Sequence, residues 1–242
     1  MALIPHIPGL EVRAVADAGE RLAARRLHAR CYLEAGYVEP GDVTNGVIDD
    51  PWVPYSDMVI AVDTEQDEIV GTARIIKPSV RGFPAFEFFE PLPEAMSVFA
   101  ELDPNRCSEI SALSTPRNGL QNMAISAAIY AYVWQESVMN RRAYMLAIMD
   151  DRLLRIMRRW FDFPFEAIGH PLHWMGARTT PVAMYIPRTV QVLKDNNPEA
   201  LAFFSGDIPF PDLDLVSIDI RESVAEHRAE VIDLRSQRAP FA

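Results

Sequence analysis

The chain has 242 residues, 49% of them hydrophobic and 24% charged, with 23 basic against 34 acidic side chains and a formal net charge of −11. Those proportions belong to a globular protein with a real core and exclude collagen-like, coiled-coil or wholly disordered architectures. The acidic surplus excludes a nucleic-acid or anionic-membrane binder driven by bulk charge.

Residues 1–8 carry no basic, signal-like start. Nowhere does the chain hold about 18 consecutive apolar residues, so no membrane span is expected and the default location is the cytoplasm. Residues 11–16 alternate as a first strand. Residues 18–35 are rich in Ala, Leu and Arg and predict a helix ended near Gly36. Residues 36–56 hold Gly, Pro, Asn and Asp and read as a long loop. Residues 57–63 and 69–76 are apolar and β-branched, separated by a polar turn, and predict a β-hairpin stopped by Pro78. Residues 78–104, rich in Phe and Pro, predict irregular structure with one short helix over 93–99.

Residues 107–115 read as a strand, with Glu109, Ser111 and Leu113 on one face and Ile110 and Ala112 on the other. An apolar helix over 121–139, a buried strand over 144–149 and an Arg-rich helix over 151–161 follow, the last capped by Asp150 or Asp151. Strands over 165–169 and 181–186 and a helix over 188–193 complete the pattern. The order, β-α-β-β-β-α-β-α-β-β, predicts an α/β or α+β fold with a mixed sheet flanked by helices. The expected division is a domain over residues 1–190 and a C-terminal extension over 191–242 that packs on it or trails from it.

No Gly-x-Ser-x-Gly elbow surrounds Ser111, Ser114 or Cys107, so covalent serine or cysteine catalysis has little support. Cys31 and Cys107 are too few for a disulfide framework and read as reduced, buried thiols. His170 and His173 form a weak metal pair without a third ligand, so no metal is expected. Glu109 is the better lead, because a carboxylate in the middle of an apolar strand costs free energy unless it is paired or faces a cleft. Arg74 poses the matching puzzle in its own apolar strand, and Asp49 and Asp50 add charge in the loop. Two carboxylates and an arginine make either an amine-binding site or a structural ion cluster. Arg152, Arg155, Arg158 and Arg159 form either a solvated face or a docking patch for an acidic carrier or a phosphate. The aromatic segment around Phe83, Phe86, Phe88, Phe89 and Phe99 reads as core or as the wall of an acyl pocket.

Val70-Gly71-Thr72-Ala73-Arg74, Ser108-Glu109-Ile110-Ser111 and the later Tyr144-Met145-Leu146-Ala147-Ile148 occur in the order seen in one family. Over residues 10–190 the chain resembles the autoinducer (acyl-homoserine-lactone) synthases and the related N-acyl amino acid synthases, which share the Gcn5-related N-acetyltransferase fold. The resemblance implies acyl transfer from a thioester, on acyl carrier protein or coenzyme A, to the amine of an amino acid or similar small molecule. An alternative within it is a lactone-forming synthase whose acceptor is S-adenosylmethionine. No permanently bound cofactor is implied. By the resemblance Glu109, Arg74 and Asp50 are the catalytic candidates. Arg26, Asp49, Ser111 and Leu113 are the substrate-binding candidates, and Met123, Met145 and Phe99 the acyl-pocket candidates.

Two departures stand out. Ala112 occupies a position where the family often has Arg, and Arg117-Asn118-Gly119-Leu120-Gln121-Asn122 does not match the acetyltransferase pyrophosphate loop. They keep a third expectation in play, a catalytically degenerate relative that binds a lipid or a protein.

Overall fold

The computed structural model describes residues 9–100, 103–116 and 119–206. Strand β1 (Leu10–Ala14) leads into helix α1 (Ala18–Ala35). Asp17 caps the helix by accepting the Glu20 N–H at 2.9 Å. Gly36 closes it in the left-handed region at φ 71°, its N–H donating to the Leu33 carbonyl. The expected loop after it contains a small hairpin of β2 (Val43–Thr44) and β3 (Val47–Ile48). The long hairpin is β4 (Ser56–Asp63) with β5 (Glu68–Ile76).

The Phe- and Pro-rich segment holds α2 (Pro84–Glu87) and α3 (Pro93–Ala100). Strand β6 (Cys107–Ser114), helix α4 (Gly119–Met139), strand β7 (Tyr144–Asp150) and helix α5 (Asp151–Trp160) follow. The N-cap of α5 is Asp150, which accepts the N–H groups of Arg152 and Leu153 at 2.8 Å. Then come β8 (Glu166–Ala167), β9 (Leu172–Trp174), β10 (Ala177–Tyr185), α6 (Ile186–Asn196) and α7 (Pro198–Ser205).

Seven strands line up as β1-β4-β5-β6-β7-β10-β8, with β9 also on β10. Every neighbour is antiparallel except β6 with β7. The sheet is thus mixed and flanked by helices, as the element order predicts. One face carries α4 and the largest core cluster, which includes Val59, Ala73, Ile75, Ile110, Trp134 and Met145. The other carries α1 over β4–β6 and the α2–α3 segment over Ile76, Cys107, Tyr144 and Leu146.

Residue 190 falls inside α6, whose Val190 and Leu193 are buried in the main core. Helix α7 packs on α4, and the Gln135 Nε2 donates to the Phe204 carbonyl at 2.9 Å. The described residues up to Ser205 are therefore part of one packed body.

Gly71 sets how closely α4 approaches β5. A Cβ there would lie 2.7 Å from Ile125 Cγ2 and 2.9 Å from Ile129 Cδ1. Gly71→Ala is expected to destabilise the protein by about 1–3 kcal/mol through this overpacking. Thermal unfolding checks it, and an unchanged Tm would mean that the contact relaxes freely.

Candidate active site

The site is built where two neighbouring strands part. Strands β6 and β7 pair in parallel only from Cys107↔Tyr144 to Ile110↔Ala147. β6 continues to Ser114 and β7 to Asp150 without a further pair between them. Beyond Ile110, the edge of β6 that faces β7 therefore has no strand partner among the described residues. A cavity of about 200 Å³ occupies that gap. Its wall includes Ile110 to Leu113 of β6, Met145 to Asp150 of β7, Tyr32, Trp134, Phe163 and Trp174.

A β-bulge in β6 re-aims the strand at this point. The β5–β6 register slips between Thr72 and Arg74, and Ala112 takes a left-handed φ of 54°. Glu109 and Ser111 share the face that carries Arg74, as strand alternation predicts. Leu113 does not, because the extra residue turns it onto the Ile110 side, where it packs against the main core and lines the cavity. The expectation that Glu109, Ser111 and Leu113 share one face is corrected accordingly.

Glu109 is fully buried. Its Oε2 accepts the Ala85 N–H at 3.0 Å, and its Oε1 has no hydrogen-bond partner among the described residues. Burial pushes its pKa up to about 8, opposed by the Ala85 N–H and by the nearby Arg74 guanidinium. At neutral pH the protonated carboxyl therefore predominates over the ionised form. The short turn α2 covers it, so Glu109 lies behind the cavity wall rather than in it.

Arg74 is tied down on two sides. Its Nη1 donates to Asp50 Oδ2 at 2.5 Å and its Nε to Ser111 Oγ at 2.9 Å. Asp50 Oδ1 accepts the Trp52 N–H at 2.8 Å, which holds the loop against the sheet. Arg74 and Asp50 keep side-chain exposures of 9% and 23%, a nearly buried ion pair. The structure therefore brings Asp50, Arg74, Ser111 and Glu109 together on one face, with the arginine bonded to Asp50 rather than to Glu109.

Three candidates lie elsewhere. Asp49 is exposed, next to the paired Asp50. Arg26 is exposed on the outer side of α1, beside the β2–β3 hairpin at Gly46. Its neighbour Arg25 reaches the loop, donating to the Ile48 carbonyl at 3.1 Å. Phe99 packs on Phe86 and Tyr144 and lines a separate apolar groove with Phe83, Met96 and Cys107. Met145 does line the cavity between the strands. The Met123 side chain and residues 117–118 of the expected pyrophosphate-loop position lie outside the described residues.

Sequence reasoning missed His28. Its Nδ1 lies 3.0 Å from Ser114 Oγ, and its ring packs edge-on against Tyr32, 4.0 Å between centroids. Burial and the neighbouring Arg74 and Arg25 push its pKa down to about 3, so the imidazole is neutral. A signal was present: Ala24, His28 and Tyr32 recur every four residues, which puts them on one helix face. Trp174 was missed as well. It joins the cavity wall to Phe88 and Phe89 of the irregular segment, and Phe88 in turn meets Trp52 beside the Asp50 loop.

Cys31 and Cys107 are free and buried, and burial pushes the Cys107 thiol up to about 12, which leaves no thiolate for nucleophilic attack. His170 and His173 are exposed. Among the described residues no group of three or more His, Cys, Asp and Glu side chains is placed to hold a metal ion, and no helix is long and apolar enough to cross a membrane.

No protein-family model matches the chain, and no curated protein matches it either. Solved structures do. FeeM, an N-acyl amino acid synthase from uncultured soil microbes, is 17% identical with a TM-score of 0.56 over 76% of this chain and 95% of its own. BjaI, a CoA-dependent acyl-homoserine lactone synthase solved with SAM and isopentyl-CoA, is 19% identical with a TM-score of 0.57 over 77% of this chain and 89% of its own. TofI, solved in a ternary complex with an inhibitor and MTA, is 18% identical with a TM-score of 0.56 over 79% of this chain and 98% of its own. At such identities the likeness is one of fold, and it is the fold that the strand motifs imply: this chain is built on the same scaffold as an N-acyl amino acid synthase and an acyl-homoserine lactone synthase.

Proposed function

We propose that the protein is an N-acyltransferase that moves an acyl group from a thioester to the amine of an amino acid or related small molecule. The observation that carries this reading is the apolar cavity in the gap between β6 and β7, flanked by the Asp50–Arg74–Ser111 network and by buried Glu109. The acyl chain lies in the cavity. The thioester carbonyl lies against the unpaired edge of β6 near the Ala112 bulge, where backbone N–H groups stabilise the developing oxyanion. A neutral amine attacks the carbonyl carbon, the carbon–sulfur bond breaks and a thiolate leaves, and no covalent enzyme intermediate forms.

The ionised form of Glu109, whose share grows as pH rises toward about 8, receives the amine proton through a water molecule and hands it on to the departing thiolate. The charged network orients the amine. Neither Asp50 nor Arg74 acts as a proton carrier, because each is locked in the other's ion pair.

The carrier-protein donor is supported by the α5 surface. Arg152, Arg155 and Arg159 are exposed there, and Asp150 and Leu153 of the same segment line the cavity. In a chain with a formal charge of −11 this is a local cationic patch suited to an acidic carrier. A coenzyme A donor is the competing choice, and acyl-CoA against acyl-carrier kinetics separates the two. The lactone-forming alternative, with S-adenosylmethionine as acceptor, draws support from BjaI and TofI, whose structures hold SAM and MTA.

Thiol release from acyl thioesters over a panel of amines, with mass spectrometry of the product, tests the reading. A linear acyl amine is the expected product. An acyl lactone would select the autoinducer reading instead. Absence of thiol release over a broad panel of both donors would favour a binding module without catalysis.

A further inference from the structure

The cavity has a closed end, and its size sets a limit on what enters. Trp134, Met145, Met157, Phe163 and Met184 are each nearly inaccessible, whereas Tyr37, Met175 and Ala177 on the opposite side are partly exposed. The open side is therefore the mouth, and the aromatic and methionine side is the floor. Phe163 stacks on Trp134 with ring centroids 6.1 Å apart and is backed by Phe204 of α7 at 4.9 Å. Three interlocked rings contributed by α4, α7 and the segment after α5 back this end of the cavity. The floor is thus completed by a helix that comes after residue 190.

We infer that the acyl group is a medium chain of roughly eight carbons, carbonyl included, with Phe163 as the residue that ends it. The arithmetic is direct. A dry protein cavity of about 150 Å³ holds one benzene, six carbons, so the 200 Å³ between β6 and β7 holds roughly eight. The inference rests on the acyltransferase reading for the identity of the occupant, and it names the substrate class of that same site. The walls fit an unbranched chain: methionine side chains adapt to a thin apolar guest, while the rings at the floor do not yield without repacking around Phe204.

Direct binding tests it without turnover. The purified protein is titrated calorimetrically with straight-chain fatty acids from butanoate to hexadecanoate. All share one head group, so differences between them isolate the methylenes. Affinity is expected to rise about fourfold per methylene up to about octanoate and then to level off or fall. Phe163→Ala should move the turning point roughly two to four carbons longer, and the cavity-filling Ala147→Leu should move it about three carbons shorter, by the atoms it adds.

The wild-type profile stands as a test even if Phe163→Ala fails to fold. Affinity that climbs steadily through hexadecanoate, or that ignores chain length, overturns the inference. The expected profile in a protein that acylates no amine would overturn the transferase reading and leave the length limit standing. Preferred turnover of long-chain thioesters would do the reverse.

Discussion

Glu109→Gln is expected to cut the rate of acyl transfer by about 10²- to 10⁴-fold while leaving thioester binding close to unchanged, because an amide of the same shape cannot accept the amine proton. The pH profile carries further weight. Burial holds the wild-type carboxyl at about 8, so the fraction able to act as a base grows as pH rises toward that value. Wild-type kcat/KM should climb through the neutral range, and the Gln variant should lack that limb. A variant with near wild-type turnover would remove Glu109 from the mechanism.

The same side chain makes an independent claim about stability. An ordinary glutamate ionises near 4.5, so between there and about 8 the folded protein retains a proton that the unfolded chain has released. Its folded state is then favoured at low pH, and that advantage disappears as pH rises through about 8. Glu109→Gln, with nothing to ionise, should melt several degrees above the wild type at pH near 9 and converge with it toward pH 5. Parallel melting curves across that range would contradict the raised pKa of the buried carboxyl.

Asp50→Ala should be the most damaging change in the charged network, costing about 3–5 kcal/mol, because it strands the Arg74 guanidinium at 9% exposure without its anion. At about 2–4 °C per kcal/mol for a protein of this size, the melting temperature should fall by roughly 10 °C. Arg74→Met keeps the apolar stem and leaves Asp50, at 23% exposure, to find water, so its cost should be smaller. The double variant should then be more stable than Asp50→Ala alone, since no buried charge is left unpaired. Additive losses in the two single variants would mean that the pair does not act as a unit. Circular dichroism separates this effect from a loss of activity in a folded protein.

Much of the scaffold was legible before any coordinates. Helix α1 runs over the predicted residues because its Ala-, Leu- and Arg-rich run and the stop at Gly36 are local signals that do not depend on the rest of the chain. The β4–β5 hairpin was legible for the same reason: two apolar, β-branched runs joined by a short polar turn have few other ways to satisfy their backbones. The acidic carboxyl in an apolar strand was legible as an anomaly, and the structure places it at zero exposure.

The rest depended on distances between residues remote in sequence. The alternation rule put Leu113 with Glu109, but one left-handed residue, Ala112, turned it to the cavity, and nothing about an alanine announces a positive φ. The arginine's partner was not readable, since Asp49 and Asp50 are equivalent in composition and only the fold of the loop around Trp52 turns one inward. The aromatic segment reads as core or as an acyl wall, and no local signal separates the two: the strand gap is lined by Trp134, Phe163 and Trp174, whereas Phe99 lines a different groove.

Propensity, periodicity and capping are local, so the scaffold elements and an odd acid and an odd base, each in an apolar strand, are readable from short stretches of the chain. That β6 and β7 separate after Ile110, that the gap is apolar and backed by three rings, and that Glu109 is fully buried beneath α2 follow from the packed fold. Strand divergence and desolvation are properties of packing between distant segments, and no window of the chain encodes them alone.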